Sequence, residues 1–317
     1  MALQTDTRAT ARAEILQVDP ISQDALAIPP IRYRTVEIDG AEIFYREAGA
    51  EHAPAIVLLH GFPTSSHMYR NLIPALAGQY RVIAPDYPGF GYSAPSDPES
   101  FDYGFDHYAD LIENLLDRLG VGTFALYVFD YGAPVGFRIA ARQPARVSAL
   151  LVQNGNAYEE GIAGFWDPIK AYWSSGATAE REALRWLTTI KATLWQYQNG
   201  VDDPTMLSPD AWTHDQALMD RPGNAGIQLD LFYDYRTNLP LYSKWQDYFR
   251  RHRPPTLVMW GARDEIFVAP GGEAYLRDNP DTEIHMLDTG HFALETHGAR
   301  IAALIREFLA RRLPTGW

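Results

Sequence analysis

The stretch VFDYGAP (128–134) decides the fold predicted for this chain. An apolar run, FALYVF (124–129), leads into Asp130, and a pattern typical of a helix follows. A reactive side chain on a sharp turn between a buried strand and a helix is typical of a nucleophile elbow. The small residues Gly132 and Gly136 allow the turn and the helix to pack closely against the strand. We therefore interpret Asp130 as a candidate nucleophile.

An aspartate at this position restricts the chemistry. A carboxylate can attack an sp³ carbon and form an alkyl–enzyme ester, whereas it is a poor nucleophile towards an ester carbonyl. The alternative is that Asp130 only caps the following helix, because Asp is common at helix N-termini. That alternative predicts a non-catalytic ligand-binding protein. Asp130→Ala would then lower the melting temperature and leave ligand binding unchanged.

Short apolar runs alternate with helical periodicity along most of the chain. The runs that predict strands are 32–38, 42–46, 55–59, 81–84, 124–129, 149–153, 256–260 and 283–287. The stretches that predict helices are 108–119, 133–142, 180–194, 226–238 and 299–312. Such alternation is typical of an α/β fold with a mostly parallel central sheet and helices on both faces.

The stretch from 156 to 253 interrupts this alternation. It is rich in Trp and Tyr and its pattern is helical. We therefore predict a helical insertion over 156–253, placed within a core domain formed by 32–155 and 254–317. Residues 1–31 are polar and end near Ile28-Pro29-Pro30, which predicts a loosely ordered N-terminal leader.

Two further polar residues follow predicted strands, at the edge where an open α/β sheet binds its ligands. His291 lies after the last strand, and a neutral imidazole there can activate water. Asp264 lies after the preceding strand and can orient that imidazole. The chain order of nucleophile, acid and histidine is that of a catalytic triad on a strand–turn–helix elbow. Glu159 or Glu160 remains an alternative acid.

The motif HGFP (60–63) follows another predicted strand. The peptide bond after Phe62 precedes proline and is a candidate cis bond. Such a loop can aim the Phe62 amide into the site beside the Tyr131 amide, forming an oxyanion-type pocket. We interpret His60 as a structural hydrogen-bonding residue and Asp86 as a turn-forming residue.

Five motifs in order resemble the epoxide hydrolase and haloalkane dehalogenase branch of the α/β-hydrolase superfamily. They are HGFPTSSHMYR (60–70), APDYPGFGYSAP (84–95), VFDYGAP (128–134), WGARDEIF (260–267) and DTGHFALE (288–295). The resemblance implies the α/β-hydrolase fold, a triad of Asp130, His291 and Asp264, and a helical cap for the middle segment.

The same resemblance implies a first choice of activity, epoxide hydrolysis to a diol. Epoxide hydrolases of this branch polarise the epoxide oxygen with two tyrosines of the cap. Tyr235, in FYDYRTN (232–238), matches one of them, and Tyr172, in WDPIKAYW (166–173), is the candidate for the other.

Dehalogenation with the same triad is the alternative activity. Haloalkane dehalogenases typically place Asn where Phe62 stands and Trp where Tyr131 stands, so that two N–H groups hold the halide. Neither residue here has a side-chain N–H, which favours the epoxide. Trp166 and Trp173, with Trp195, remain candidate donors from the cap segment.

Composition excludes other classes of function. The net charge of −13 disfavours nucleic acid and anionic membranes as partners. The chain has no Cys, so disulfides, thiolate zinc sites and cysteine nucleophiles are excluded. No apolar run reaches the ~18–20 residues of a membrane helix, and no secretory signal is recognisable. We expect a cytoplasmic monomer or homodimer that acts on a small apolar organic substrate and water, without metal or cofactor.

Overall fold

The computed structural model describes residues 29–95 and 97–317. Most of the predicted leader, residues 1–28, lies outside the described residues. Among the described residues, no helix is both long and apolar enough to cross a membrane.

The predicted α/β fold with a mostly parallel sheet is confirmed. The strands are β1 Arg32–Ile38, β2 Ala41–Ala48, β3 Ala55–Leu59, β4 Arg81–Pro85, β5 Ala94–Pro95, β6 Phe124–Phe129, β7 Val147–Gln153, β8 Thr256–Gly261 and β9 Glu283–Leu287. They form one sheet in the order β1-β2-β4-β3-β6-β7-β8-β9, with the short β5 beside β2. Pairing is antiparallel from β1 through β2 to β4 and parallel from β4 onward. Only β5 was not predicted.

Helices cover both faces of this sheet. The α-helices are α1 Leu72–Leu76, α2 Phe105–Arg118, α3 Gly132–Arg142, α4 Asp167–Ser175, α5 Thr178–Ala183, α6 Ile190–Gln198, α7 Pro209–Met219, α8 Asn224–Asp234, α9 Tyr242–His252, α10 Ala269–Glu273, α11 Tyr275–Asp278 and α12 Ala293–Arg312. Side chains of a strand alternate between faces, so β3 and β6 contribute to two separate buried clusters. Helices α2, α3 and α9 complete one cluster, and α1 and α12 complete the other.

All elements described between β7 and β8 are helical. We refer to residues 156–253 as the helical insert. The prediction of one helix over 180–194 is wrong, because the chain leaves α5 at Ala183, passes through a 3-10 turn and restarts as α6. The hydroxyl groups of Thr188 and Thr189 donate to carbonyl groups three residues earlier, at Arg185 and Trp186. Such local bonds compete with helix continuation.

Candidate active site

Asp130 occupies a strained turn between β6 and α3. Its φ is 48°, a left-handed value that is uncommon for a residue other than glycine. A Cβ atom on Gly132 would lie 2.1 Å from the carbonyl oxygen of Leu59, and one on Gly136 would lie 2.5 Å from Val128. These distances show why the turn and the start of α3 require glycine. The strained turn holds the Asp130 carboxylate at the carboxyl end of the sheet.

The side chain of Asp130 turns towards the loop after β3. The backbone N–H of Phe62 donates to Asp130 Oδ1 over 2.6 Å, and the nearby Tyr131 amide lowers the pKa of this carboxyl group. A Cβ on Gly61 would lie 2.2 Å from the same oxygen, so glycine is needed for this approach. The bond after Phe62 is cis, as predicted. The two amides predicted to form an oxyanion-type pocket therefore already converge on Asp130.

This arrangement differs from that of a helix cap. Tyr131 is the N-cap residue of α3, and it makes no side-chain capping hydrogen bond. Asp130 is instead 4% exposed, and its side chain accepts a hydrogen bond from the Phe62 amide. The helix-cap interpretation consequently lacks the contact that it requires.

His291 lies beside Asp130 in the loop after β9. Its Nε2 atom is 3.9 Å from Asp130 Oδ2, and its Nδ1 atom is 2.7 Å from Asp264 Oδ2. In the part of the chain that the structure describes, Nε2 has no hydrogen-bond partner. The structure thus brings together the three residues predicted as a triad, and it leaves one imidazole nitrogen open towards Asp130.

Burial and neighbouring charges shift the pKa values of Asp130 and His291 in opposite directions. Burial raises the pKa of Asp130 to about 6, although His291 and the two amides partly offset that effect. Burial alone would lower the pKa of His291. The charge of Asp264, its hydrogen bond and the charge of Asp130 outweigh burial and raise the pKa of the imidazole. With a pKa of about 6, the Asp130 carboxylate is mostly ionised near neutral pH.

Asn154 supports the acid of this group. It follows β7, has a φ of 43° and is fully buried. Its side-chain N–H donates to Asp264 Oδ2 over 2.7 Å, and its side-chain oxygen accepts from the Gly261 amide over 2.9 Å. Asn154 follows the predicted strand 149–153, at the edge of the sheet where ligands bind, but the sequence alone did not indicate this role.

The predicted alternative acids lie elsewhere. Glu160 pairs with Arg277 at the surface, and Glu159 is exposed. His291 Nδ1 already binds Asp264, so neither glutamate orients the imidazole in this structure.

A family model described as the alpha/beta hydrolase fold matches residues 54–298. The chain belongs to the α/β-hydrolase fold family. This hydrolase is 46% identical to an uncharacterized hydrolase of Saccharomyces cerevisiae, over 88% of this chain and 97% of that protein. A haloalkane dehalogenase of Mycolicibacterium paratuberculosis is 45% identical over a shorter part, 35% of this chain and 37% of its own. These matches confirm the superfamily resemblance predicted from the motifs.

A solved structure gives the same fold. An epoxide hydrolase of Vigna radiata superposes with a TM-score of 0.70 over 89% of this chain and 98% of that chain, at 24% identity. At this identity the likeness shows the fold alone.

The aromatic wall of the hydrolase's site comes partly from the helical insert. Trp166 donates its indole N–H to the carbonyl oxygen of Ile266 over 2.6 Å, and Trp173 donates to that of Phe232 over 2.6 Å. Trp195 stacks on Phe165. Because the indole groups of Trp166 and Trp173 are bound to backbone carbonyls, they are not free to hold a halide in this structure.

Tyr235 lies within this wall, fully buried. Its ring centroid is 4.5 Å from that of Trp166 and 5.9 Å from that of Tyr131. Its hydroxyl has no hydrogen-bond partner among residues 29–95 and 97–317. Burial, the neighbouring phenol of Tyr242 and the charge of Asp130 raise the pKa of Tyr235. A neutral phenol near Asp130 is a potential proton donor.

Tyr172 is placed differently. Its ring packs against Tyr233 at a centroid distance of 4.7 Å. Burial raises its pKa, and its charged neighbours are Arg181 and Asp230, a pair joined at 2.8 Å. The Asp230 side chain is 61% exposed, so this pair marks the outer side of the insert. The structure does not bring Tyr172 to Tyr235 as a second donor, because packing against Tyr233 turns it towards Arg181.

His60 and Asp86 have the structural roles that the sequence suggested. His60 accepts from the Tyr87 amide, and burial lowers its pKa to about 3, so it is neutral. Asp86 accepts from the amides of Ser66 and Tyr92 and fixes the loop beside β4. No group of three potential metal-ligating side chains occurs within the described ranges.

Proposed function

We propose that this hydrolase converts epoxides to diols through an alkyl ester on Asp130. The observation that carries this proposal is the buried phenol of Tyr235, which lies beside the Tyr242 phenol without a close hydrogen bond and whose pKa is also raised by the charge of Asp130. An opening epoxide places negative charge on an oxygen that remains in the product, and a phenol can donate a proton to that oxygen.

The first half of the reaction forms the ester. Asp130 Oδ2 attacks an epoxide carbon, the bond between that carbon and the ring oxygen breaks, and the oxygen keeps the electron pair. Tyr235 donates its proton to this oxygen. The Phe62 amide holds Oδ1, so Oδ2 is the oxygen left to form the bond.

The second half hydrolyses the ester. His291 takes a proton from water, and the hydroxide adds to the Asp130 carboxyl carbon. The amides of Phe62 and Tyr131 stabilise the charge that develops on Oδ1. The bond from the carboxyl carbon to Oδ2 then breaks, and the diol oxygen takes the proton held by His291. The new carboxyl group of Asp130 gives its proton back to the Tyr235 phenolate.

The oxygen balance provides the test. In a single turnover with enzyme in excess and ¹⁸O-labelled water, the first diol carries the unlabelled Oδ2 of Asp130. Direct attack of water on the epoxide would instead label the diol, and that result would contradict the proposal. His291→Gln should accumulate an adduct seen as a mass increase on the Asp130 peptide, and Asp130→Asn is the matched control without an adduct.

Haloalkane dehalogenation is the second candidate, favoured by the local identity to the Mycolicibacterium paratuberculosis dehalogenase. The triad would act in the same way, and halide would leave in place of the epoxide oxygen. The absence of side-chain N–H groups at Phe62 and Tyr131 and the occupied indoles of Trp166 and Trp173 argue for the epoxide. Diol formation from a panel of epoxides, compared with halide release from a panel of alkyl halides, separates the two.

A non-catalytic ligand-binding role is a remote alternative. It requires Asp130→Ala to lower the melting temperature without changing ligand binding. A His291→Gln protein that forms no adduct with any epoxide or alkyl halide would favour it.

We also propose a domain organisation, a substrate class, an oligomeric state and a location for the protein. The helical insert acts as a cap domain over 156–253, on a core domain of 32–155 and 254–317. The substrate is a small apolar organic molecule, water is the second reactant, and no cofactor takes part. The protein is a cytoplasmic monomer or homodimer that does not bind nucleic acid.

A further inference from the structure

We propose that Tyr131 supplies the second phenol that holds the epoxide oxygen, opposite Tyr235. This inference rests on the proposed function and adds to it a donor from the core. Sequence reasoning gave Tyr131 only a backbone role and sought the second phenol in the insert, at Tyr172.

The Tyr131 hydroxyl is buried and makes no hydrogen bond in the described part of the chain. The side chain is 2% exposed, and its hydroxyl has no hydrogen-bond partner among the described residues. Buried phenols usually find a partner, as Tyr108 does with the Pro88 carbonyl and Tyr275 with the Gly155 carbonyl, both at 2.6 Å. Because Tyr69, Tyr87, Tyr158 and Tyr248 also lack a partner among the described residues, this state points to a ligand only together with the position of the ring.

The ring of Tyr131 lies beside the nucleophile. Tyr131 follows Asp130 directly in the chain, so its side chain begins next to the reacting carboxylate. Its ring lies 5.0 Å from that of Phe105, 6.1 Å from Phe62 and 6.4 Å from Phe232. These three neighbours have no polar side-chain atoms. Asp234 and Tyr108 lie close enough to raise its pKa, but neither forms a hydrogen bond with the Tyr131 hydroxyl. An acceptor is therefore left for a ligand to supply.

The ring of Tyr131 lies next to that of Tyr235. The two ring centroids are 5.9 Å apart, and both hydroxyl groups are buried without a partner in the described part of the chain. The charge of Asp130 raises the pKa of both phenols, after the larger effect of burial, which places both near the nucleophile. One phenol follows β6 in the core and the other belongs to the insert.

Two other unpartnered phenols near Asp130 are less suited to this role. Tyr69 packs against Tyr127 in the cluster on the opposite face of the sheet. Tyr87 stacks on Tyr108 at 5.1 Å and contacts His60. Neither ring pairs with that of Tyr235, as the ring of Tyr131 does.

The proposed contact also narrows the substrate class. Two neutral phenols and surrounding hydrocarbon rings can stabilise one developing oxyanion, and they offer no cation for a charged substituent. The preferred substrate is therefore an uncharged epoxide with an apolar substituent, and an epoxide that carries a carboxylate is disfavoured.

The experiment compares Tyr131→Phe, Tyr235→Phe and Tyr158→Phe in single turnovers with styrene oxide. Tyr158 is the matched control, because its hydroxyl is also buried and unpartnered among the described residues, but its charged neighbours are Asp278 and Arg277. Adduct formation and adduct decay are followed separately by mass spectrometry. Tyr131→Phe should slow adduct formation on the order of 10²-fold and leave decay unchanged, since its amide remains.

Each outcome decides one point. A His291→Gln protein that forms no adduct refutes the proposed function, and with it this inference. An adduct that forms as fast in Tyr131→Phe as in wild type overturns the role of Tyr131 alone. Equal slowing of formation and decay indicates a packing role and also overturns it. If Tyr131→Phe folds poorly, a fluorotyrosine at position 131 keeps the ring and changes phenol acidity, and an unaltered rate of formation then refutes the inference.

Discussion

Asn154 and His291 meet on one oxygen of Asp264. The Asn154 amide nitrogen and the His291 Nδ1 atom are each 2.7 Å from Asp264 Oδ2, while the Ile266 amide donates to Oδ1 over 2.7 Å. The carboxylate is thus fixed at both oxygens before it orients the imidazole. Asn154 acts through Asp264 and is a positioning residue.

Asn154→Ala should remove one of these donors. We expect a loss of about 1–3 kcal/mol in the free energy of unfolding, because a buried carboxylate loses a partner. Adduct decay should slow more than adduct formation, since only decay needs His291 as a base. Asn156→Ala is the matched control, because its amide binds Tyr242 and not Asp264. Equal decay rates in the two variants would refute the role of Asn154.

Asp264→Asn should impair hydrolysis of the ester. The amide cannot stabilise the imidazolium, so we expect the decay rate to fall about 10³–10⁴-fold. Adduct formation should persist, and the adduct should accumulate. Glu159→Gln and Glu160→Gln should behave as wild type. Full activity of Asp264→Asn, together with loss in either glutamate variant, would restore the alternative acid.

Adduct formation should depend on pH through Asp130. Burial raises the pKa of its carboxyl to about 6, and only the ionised form is a nucleophile, so the rate should fall as pH drops through about 6. The positive charge of His291 lowers this pKa. In His291→Gln the midpoint should therefore move to higher pH. Single-turnover rates over pH 4.5–8.5 measure both midpoints, and an unchanged or lower midpoint in the variant would contradict the coupling.

Gly132→Ala should destabilise the protein at the elbow. The new Cβ would lie 2.1 Å from the Leu59 carbonyl oxygen, so β3 and α3 must separate, at a cost of about 1–3 kcal/mol or more. Gly298→Ala is the control within α12, where a Cβ would meet nothing within 4 Å. That change should be neutral or stabilise by about 0.5–1 kcal/mol. Chemical denaturation measures both, and equal stability of the two variants would show that the elbow can adjust.

The sequence was sufficient to predict the sheet and the proximity of Asp130, Asp264 and His291, for a physical reason. Strands such as β3 and β6 are buried on both faces and have continuous apolar runs, so their bounds agree with the prediction. Asp130, Asp264 and His291 each follow such a strand. Parallel strands then bring their carboxyl ends to one edge without any knowledge of side-chain packing.

Side-chain direction within the insert could not be predicted in this way. Tyr172 and Tyr235 were similar candidates on helical segments, yet packing turns one towards Arg181 and buries the other beside Trp166. The role of Asn154 depends on a contact 110 positions away in sequence. Such contacts depend on tertiary packing, which the local sequence pattern around a residue does not specify.

The hydrogen bond from Trp166 to Ile266 has a consequence for exchanging parts between relatives. Trp166 belongs to the insert, and the amide of Ile266 holds Asp264, so the insert is linked to Asp264 through one intervening residue at this point. A chimera that imports a foreign insert replaces this support together with the walls of the site. Graft boundaries should therefore carry the segment around Ile266 along with the insert, so that a donor's specificity is transferred with its own brace for the acid.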